Sequence, residues 1–313
     1  MSFLDGVNEL TLDSQLLDIT NVPPNNKTYG GLACQKVGVT IDGVDYLIKY
    51  PGRLKGRNLT NVTMSYSNSS IGEFLGSEIF KVFGFSTHSV NIVKRNGKIC
   101  AMCRDFTDAG RLIEFRELIS TYESAFIDAD GDETDGSQTD LDNIIEVIRN
   151  HHILKNLPYE EFFWKMFIVD FLIGNHDRNT GNFGVLEKDG KFSIAPIYDN
   201  GNSLNPTWDE EKMKRFSNDS DIEQIAYKAY TCRFVRNGKH VNPYQLIKSK
   251  EFNILTSALE SLVKTPIGEI LASVVECPYI SNVQKSFYFK VISCRYEKLK
   301  ELSGGDNYEN CQY

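Results

Sequence analysis

Asn175-His-Asp-Arg-Asn-Thr-Gly-Asn182 follows the most apolar run in the chain, Phe162 to Ile173. Polar residues of these types are costly to bury without partners. Their place at the end of a core helix therefore suggests a site. The segments Phe183 to Leu186 and Phe192 to Ala195 read as strands joined by Lys188-Asp-Gly190. Antiparallel pairing would return the chain from Pro196 to the neighbourhood of Asn182. Asp199 would then approach Asn182 and Asp177, although it lies 22 residues beyond Asp177. Magnesium prefers oxygen ligands, a few from protein and the rest from phosphate and water. Asp199 and Asn182 suit that role, which leaves Asp177 to orient or deprotonate a hydroxyl. The spacing Asp177 to Asn182, followed by Asp199-Asn-Gly201, matches the D-x-x-x-x-N and D-x-G of phosphoryl-transfer sites.

Phosphoryl transfer also needs cationic help at the phosphates. Lys49 stands on a strand after the Gly30-Gly31 turn, and Glu73 on the following helix could orient it. Taken singly these residues have plainer explanations. A strand lysine is usually solvated, a first-turn glutamate often caps its helix, and a glycine pair makes a turn. Their order raises them above that: glycine turn, strand lysine, helix glutamate, helical region, D-x-x-x-x-N, hairpin, D-x-G. Asp170, inside the apolar run, is expected to be buried and to brace the 175–182 loop through hydrogen bonds.

The elements that must position these residues are legible in part. Val37 to Ile41 and Val44 to Tyr50 flank Asp42-Gly43, and Val90 to Lys94 and Lys98 to Arg104 flank Arg95-Asn-Gly97. Both pairs predict hairpins. Between them, Ser70-Ile-Gly-Glu73 has capping-box spacing and opens an apolar stripe, Ile71, Phe74, Leu75, Ile79, Val82 and Phe83. After Phe106 the pattern is mostly helical, with helices expected near 140–152 and 159–173. Asp128 to Asp142 reads as a solvated acidic loop. It begins like a calcium loop but has Glu133 at the glycine position and Thr139 at the terminal glutamate position. The resulting expectation is an α+β, bilobal protein. Residues 1–106 would form a small β-rich lobe that binds nucleotide. Residues 107–302 would form a larger helical lobe carrying the catalytic and metal-binding loops, and 303–313 a disordered tail.

With 313 residues the chain can build two lobes. A net charge of -8 and a pI near 5.3 argue against a nucleic-acid partner and an anionic membrane. Seven irregularly spaced cysteines suit a reducing compartment. Cys100-Ala-Met-Cys103 reads as two buried strand cysteines rather than a redox pair. The N-terminus has no basic and apolar leader pattern, so a cytoplasmic location is expected.

FLIGNHDRNTGNFGVL followed by IAPIYDNGNSL resembles the HipA-like serine/threonine kinases, which are distantly similar to phosphoinositide 3/4-kinases. GGLACQK, DYLIKYP, GEFLGSEIFKVFGF and CAMCRDFT are similar to the small single-chain members of that family. The resemblance covers roughly residues 28 to 205. It implies a bilobal kinase with ATP and Mg2+ between its lobes, acting on a Ser or Thr of a protein substrate and expected to phosphorylate itself. Asp177 would be the catalytic base, Asn182 and Asp199 would hold metal, and Lys49 would hold the α- and β-phosphates. Gly30, Gly31 and Lys36 would belong to the phosphate loop, with Glu73 at the family's helix-glutamate position. Met102, Cys103 and Arg104 would form the hinge near adenine, mainly through backbone groups. The family's usual histidine two residues after the Asp is Asn179 here, and its large N-terminal domain is absent.

Other readings use the same residues. His151 or His152, His176-Asp177 and Asp199 have the types and order of an HD-type metal-dependent phosphohydrolase. Arg-Asn-Thr-Gly-Asn after the His-Asp pair is poor helix material for such a site. A kinase-like fold that acts on a lipid or small molecule, or that binds without catalysis, would share the rest of the pattern.

Overall fold

The computed structural model describes residues 16–30, 35–54, 64–122 and 139–304. Gly31, most of the expected acidic loop and residues 305–313 of the expected tail lie outside these. Strands β1 (Lys36–Ile41) and β2 (Val44–Lys49) form the first hairpin. Asp42 and Gly43 take φ of 50° and 76°, the left-handed pair that a tight two-residue turn requires. Helix α1 (Ser69–Val82) follows, and then β3 (Val90–Arg95) and β4 (Lys98–Arg104) turn through Asn96-Gly97. The four strands make one antiparallel sheet in the order β1-β2-β4-β3. Alternation along the strands sets its two faces. Val39, Ile48, Val93, Cys100 and Met102 pack together on one face. Val90, Ala101 and Cys103 pack on the other, with Phe74 of α1 against them. Cys100 and Cys103 thus point to opposite faces of β4, which rules out a redox pair, and neither is in a disulfide.

The capping box expected at Ser70 does not form. The helix begins one residue earlier, after Asn68, and Ser70 Oγ donates to the Ile99 carbonyl at 3.0 Å. Glu73 turns inward and is buried. The charged partners waiting there outweigh a local cap.

Beyond β4 comes a strand that the sequence pattern did not announce. β5 (Arg111–Glu114) leads directly into α2 (Phe115–Ser120). After α3 (Leu141–Asn150) and α4 (Tyr159–Ile173), the hairpin β6 (Gly184–Lys188) and β7 (Lys191–Ile194) adds to β5 in a second sheet, order β5-β6-β7. The remainder is α5 (Glu210–Arg215), α6 (Asp219–Glu223), a small hairpin β8 (Val235–Arg236) and β9 (Lys239–His240), α7 (Pro243–Ser249), α8 (Asn253–Leu262), α9 (Ile267–Val275) and α10 (Asn282–Leu302). No helix among the described residues is long and apolar enough to cross a membrane.

Helix α4 is the axis of the helical region. Phe163, Trp164 and the whole of Met166 to Ile173 are buried, so it shows no amphipathic stripe. It stops at Gly174, which takes φ 69°. Buried Arg295 of α10 lies against that end, its Nη1 donating to the Leu172 carbonyl and its Nε to the Ala226 carbonyl. A cation there satisfies one of the helix's last carbonyls and complements its dipole.

The sheet region and the helical region meet where α1 lies on the chain after β7. Gly72 and Gly76 face residues 200–203. A Cβ on Gly72 would stand 2.9 Å from both the Gly201 and Ser203 carbonyl oxygens. Alanine is otherwise preferred to glycine in a helix by about 1 kcal/mol. Gly72→Ala is nevertheless expected to lower the unfolding midpoint in a thermal melt, because the backbone clash exceeds the propensity gain. A raised midpoint would mean that the two segments are not held this closely.

Candidate active site

Asp170, near the end of α4, is buried. Asn175 Nδ2 donates to its Oδ1 at 3.0 Å, and Arg178 reaches both oxygens, Nε to Oδ2 at 2.8 Å and Nη2 to Oδ1 at 2.9 Å. The expected brace on the 175–182 loop is therefore present. Burial pushes the Asp170 carboxyl upward, with the Arg178 charge and hydrogen bonds opposing it. Arg178 goes further. Nη1 donates to the carbonyls of Asn182 at 3.2 Å and Tyr198 at 2.6 Å, and Nη2 to Asn200 Oδ1 at 2.6 Å. One guanidinium thus ties α4, the 175–182 loop and the segment after β7. Asn200 then reaches α1, with Nδ2 donating to Ser77 Oγ at 3.0 Å.

This frame brings the ends of the β6–β7 hairpin together. Asn182 Nδ2 donates to Asp199 Oδ2 at 2.6 Å, and Lys49 Nζ donates to Asp199 Oδ1 at 2.9 Å. Asp199 has φ 60°, a left-handed backbone that aspartate tolerates better than most residues. Lys49 also pairs with Glu73 Oε1 at 3.0 Å, and His88 Nε2 meets the same oxygen at 2.9 Å. Burial works against the Lys49 ammonium, but the Asp199 and Glu73 carboxylates outweigh it and hold its pKa well above the ordinary lysine value. Burial also raises Glu73, yet Lys49 and His88 prevail and keep it ionised. Lys49 is the chief cause holding Asp199 low.

Asp177 lies at the edge of this group. Asn202 Nδ2 donates to its Oδ2 at 2.8 Å, and Arg233 Nη1 stands 3.5 Å from Oδ1. Burial raises the Asp177 pKa above the usual aspartate value, and Arg233 and His176 pull it back in part.

A cavity of about 160 Å³ opens between the two regions. Lys49, Asn182 and Asp199 line it with Gly30, Lys36, Cys103 and Arg104. Lys36 Nζ donates to the Gly30 carbonyl at 2.8 Å. Asp105, Phe106 and Thr107 continue the wall, and Glu114 and Arg116, an ion pair from β5 and α2, stand at its mouth. Glu73 is not on the wall; it pairs with Lys49, which is. Met102 is not on it either. Its side chain packs on the opposite sheet face. Its residue pairs with both Ile48 of β2 and Asn91 of β3, so its backbone belongs to the sheet. A larger groove of about 880 Å³ lies elsewhere along α1, lined by Lys98, Tyr279 and Ser281 among others, and Lys49, Asp177, Asn182 and Asp199 are not on its wall.

Sequence reasoning did not single out Arg178, His88, Asn200, Asn202 or Arg233. Arg178 carried a signal. Asp170 in an apolar helix demands a cation, and Arg178 is the nearest one after the helix ends.

The chain matches the HipA-like C-terminal domain over residues 29–258. It is 26% identical, over 88% of its length and 84% of the relative's, to the serine/threonine-protein kinase CtkA of Helicobacter pylori. Among solved structures it resembles that of the proinflammatory kinase CtkA of H. pylori, with a TM-score of 0.79, 24% identity and coverage of 92% of this chain and 97% of that one. It also resembles HipA of Shewanella oneidensis, solved with HipB and operator DNA, with a TM-score of 0.53, 11% identity and coverage of 95% and 71%. The fold is thus the bilobal α+β fold of the HipA kinases.

Removing one partner of a buried ion pair strands the other charge at a cost of about 3–5 kcal/mol. Arg178→Ala is expected to lose that much in denaturant unfolding. The double variant Asp170→Leu, Arg178→Met should lose clearly less than Arg178→Ala alone. If the double variant were the less stable of the two, the stranded carboxylate would not be the source of the loss.

Proposed function

The chain belongs to the HipA-like C-terminal domain family, and from that premise we propose that it is a cytoplasmic serine/threonine protein kinase. It transfers the γ-phosphoryl group of ATP to a protein hydroxyl, with magnesium, and phosphorylates itself. Residues 1–106 form the nucleotide-binding lobe and 107–302 carry the catalytic and metal-binding loops. The observation that carries this reading is the contact of Asp199 with both Lys49 and Asn182, at 2.9 and 2.6 Å, on one cavity wall. The β6–β7 hairpin brings Asp199 to Asn182, but Lys49, from the first hairpin, has no local reason to meet them there. The Helicobacter relative is a serine/threonine-protein kinase, which supports the same reading.

Asp199 offers carboxylate oxygens, and Asn182 an amide oxygen that here accepts from the Asn179 N–H at 3.2 Å while its Nδ2 faces Asp199. With that amide turned over, the two residues would present the hard oxygens that magnesium takes and would hold the ion. When bound, it neutralises phosphate charge. Lys49, kept charged by its two carboxylates, holds the α- and β-phosphates. Gly30 and Lys36 belong to the loop over them, and Met102, Cys103 and Arg104 form the hinge near adenine, mainly through backbone groups. Asp177 orients the acceptor hydroxyl in line with the γ-phosphorus and takes its proton as the new phosphate ester forms and the bond from the γ-phosphorus to the departing ADP breaks. Most of the rate comes from positioning and electrostatics.

An HD-type phosphohydrolase would need His151 or His152, His176, Asp177 and Asp199 to gather around a metal. Among the described residues the only cluster of that kind is Glu73, His88 and Cys103. The Lys49 ammonium, 3.0 Å from Glu73, already supplies the positive charge there.

The test is transfer from γ-labelled ATP with magnesium, with a basic acceptor protein and without one. Wild type should label protein. Asp177→Asn should lose transfer by about 10²–10⁴-fold, the range for removing a general base, while still binding ATP. Lys49→Met should weaken nucleotide binding as well as turnover. Equal transfer by Asp177→Asn and wild type would refute the base assignment. Label in no sample, with ATP bound, would move the reading to a non-catalytic module or a non-protein acceptor.

A further inference from the structure

The Asp177 carboxylate is gripped on one side. Asn202 donates to Oδ2 at 2.8 Å, a well-formed hydrogen bond. Among the described residues Oδ1 faces the Arg233 guanidinium, at 3.5 Å and on a side chain 52% exposed. Such a contact is loose and readily displaced. Rotation of an aspartate carboxylate about χ2 is broad, so the rotamer alone does not fix where its oxygens point. Something must do so if one oxygen is to meet a hydroxyl in line with phosphorus.

The turn that carries Asn202 does not need that side chain for its own shape. Ser203 N donates to the Asn200 carbonyl at 3.0 Å, and Leu204 N to the Ile173 carbonyl at 2.9 Å. Its neighbours already have partners, Asp199 with Lys49 and Asn182, Asn200 with Arg178 and Ser77. Asn202 is only half-buried, so its side chain is not core packing.

We propose that Asn202 is a positioning residue for the base: its amide holds Oδ2 of Asp177 and so presents Oδ1 to the acceptor hydroxyl. Arg233 covers Oδ1 until an acceptor arrives, and its exposed arm then moves aside. The inference rests on the kinase reading and on Asp177 as base.

The test uses the full chain, ATP, magnesium and a protein acceptor. Asn202→Ala removes the donor. Asn202→Asp keeps the shape but offers only acceptors, and Asn202→Gln keeps an amide on a longer arm. If Asn202 positions the base, Asn202→Ala lowers kcat on the order of tenfold to a hundredfold, the scale of a small misplacement, and leaves KM for ATP within about twofold. Asn202→Asp is at least as slow, although isosteric, and Asn202→Gln lies between alanine and wild type. In an Asp177→Ala background, Asn202→Ala produces no further loss, because there is no carboxylate left to place. Thermal melts identify any variant that does not fold, and the isosteric Asp form and the longer, amide-bearing Gln form then carry the comparison. Unchanged kcat in the alanine and aspartate variants overturns the inference and leaves Asp177 as base. So does an equal loss with and without Asp177. Full activity of Asp177→Ala alone instead overturns the base reading on which the inference stands.

Discussion

Every part of the site hangs on one buried cation. An arginine side chain has five N–H donors and no acceptor. Arg178 spends all five, two on Asp170, one on Asn200 and one each on the carbonyls of Asn182 and Tyr198. These acceptors belong to α4, to the loop that follows it and to the chain returning from β7. A guanidinium at 1% exposure would be prohibitive without them. The cost of burial is thus what enforces the geometry. Any displacement of one segment by an ångström or so leaves a donor unsatisfied in a low-dielectric interior, where it is expensive. The planar fork also fixes direction as well as distance, which a lysine could not do.

A second charge balance is built on that frame. Lys49 sits between Glu73 and Asp199, and Glu73 is itself shared with His88. The two balances differ in kind. Arg178 and Asp170 are sealed and serve only to hold chain segments. Lys49 and Asp199 end at the cavity wall, where Asp199 keeps 38% of its side-chain area open. Part of their charge is therefore left to face a ligand. A sealed pair costs nothing in specificity but offers no chemistry. An open pair offers chemistry but could not hold its own geometry in water. The site needs both, and Asn200 links them by touching Arg178 on one side and α1, which carries Glu73, on the other.

Much of this was readable in the sequence, and the reasons differ by residue. Asp42-Gly43, Asn96-Gly97 and Asp189-Gly190 predict their hairpins because a two-residue turn needs left-handed backbone that few other pairs supply. The approach of Asp199 to Asn182 follows from the third hairpin alone, since antiparallel strands return the chain to where it left. β5 was not readable. It is four residues long and is a strand only because β6 offers it an edge. The β8–β9 hairpin had the same Asn-Gly signal, but its strands are two residues each and lack any apolar alternation. Ser70 and Glu73 had correct capping-box spacing and form no box. A local rule was outbid there by Lys49, which only the tertiary fold brings near. Met102 was placed at the hinge by motif, and β-sheet alternation turns its side chain to the opposite face, which leaves only its backbone for that role.

The segment Asp199-Asn-Gly-Asn202 shows why position-by-position reading underestimates a loop. Asp199 faces the cavity, Asn200 points into the interior, and Asn202 reaches Asp177. Gly201 carries no side chain, and a Cβ there would stand 3.2 Å from Glu73 Oε2. So the one position that contributes nothing of its own allows α1 to bring Glu73 up to Lys49. A D-x-G motif is usually justified by its aspartate. Here the glycine is required by a residue more than a hundred positions earlier, and the intervening Asn200 by Arg178 and Ser77. Four consecutive residues thus satisfy four separate constraints, from the cavity, the buried arginine, the helix and Asp177. Moving any one of them along the chain by a single position would send its side chain to the wrong one.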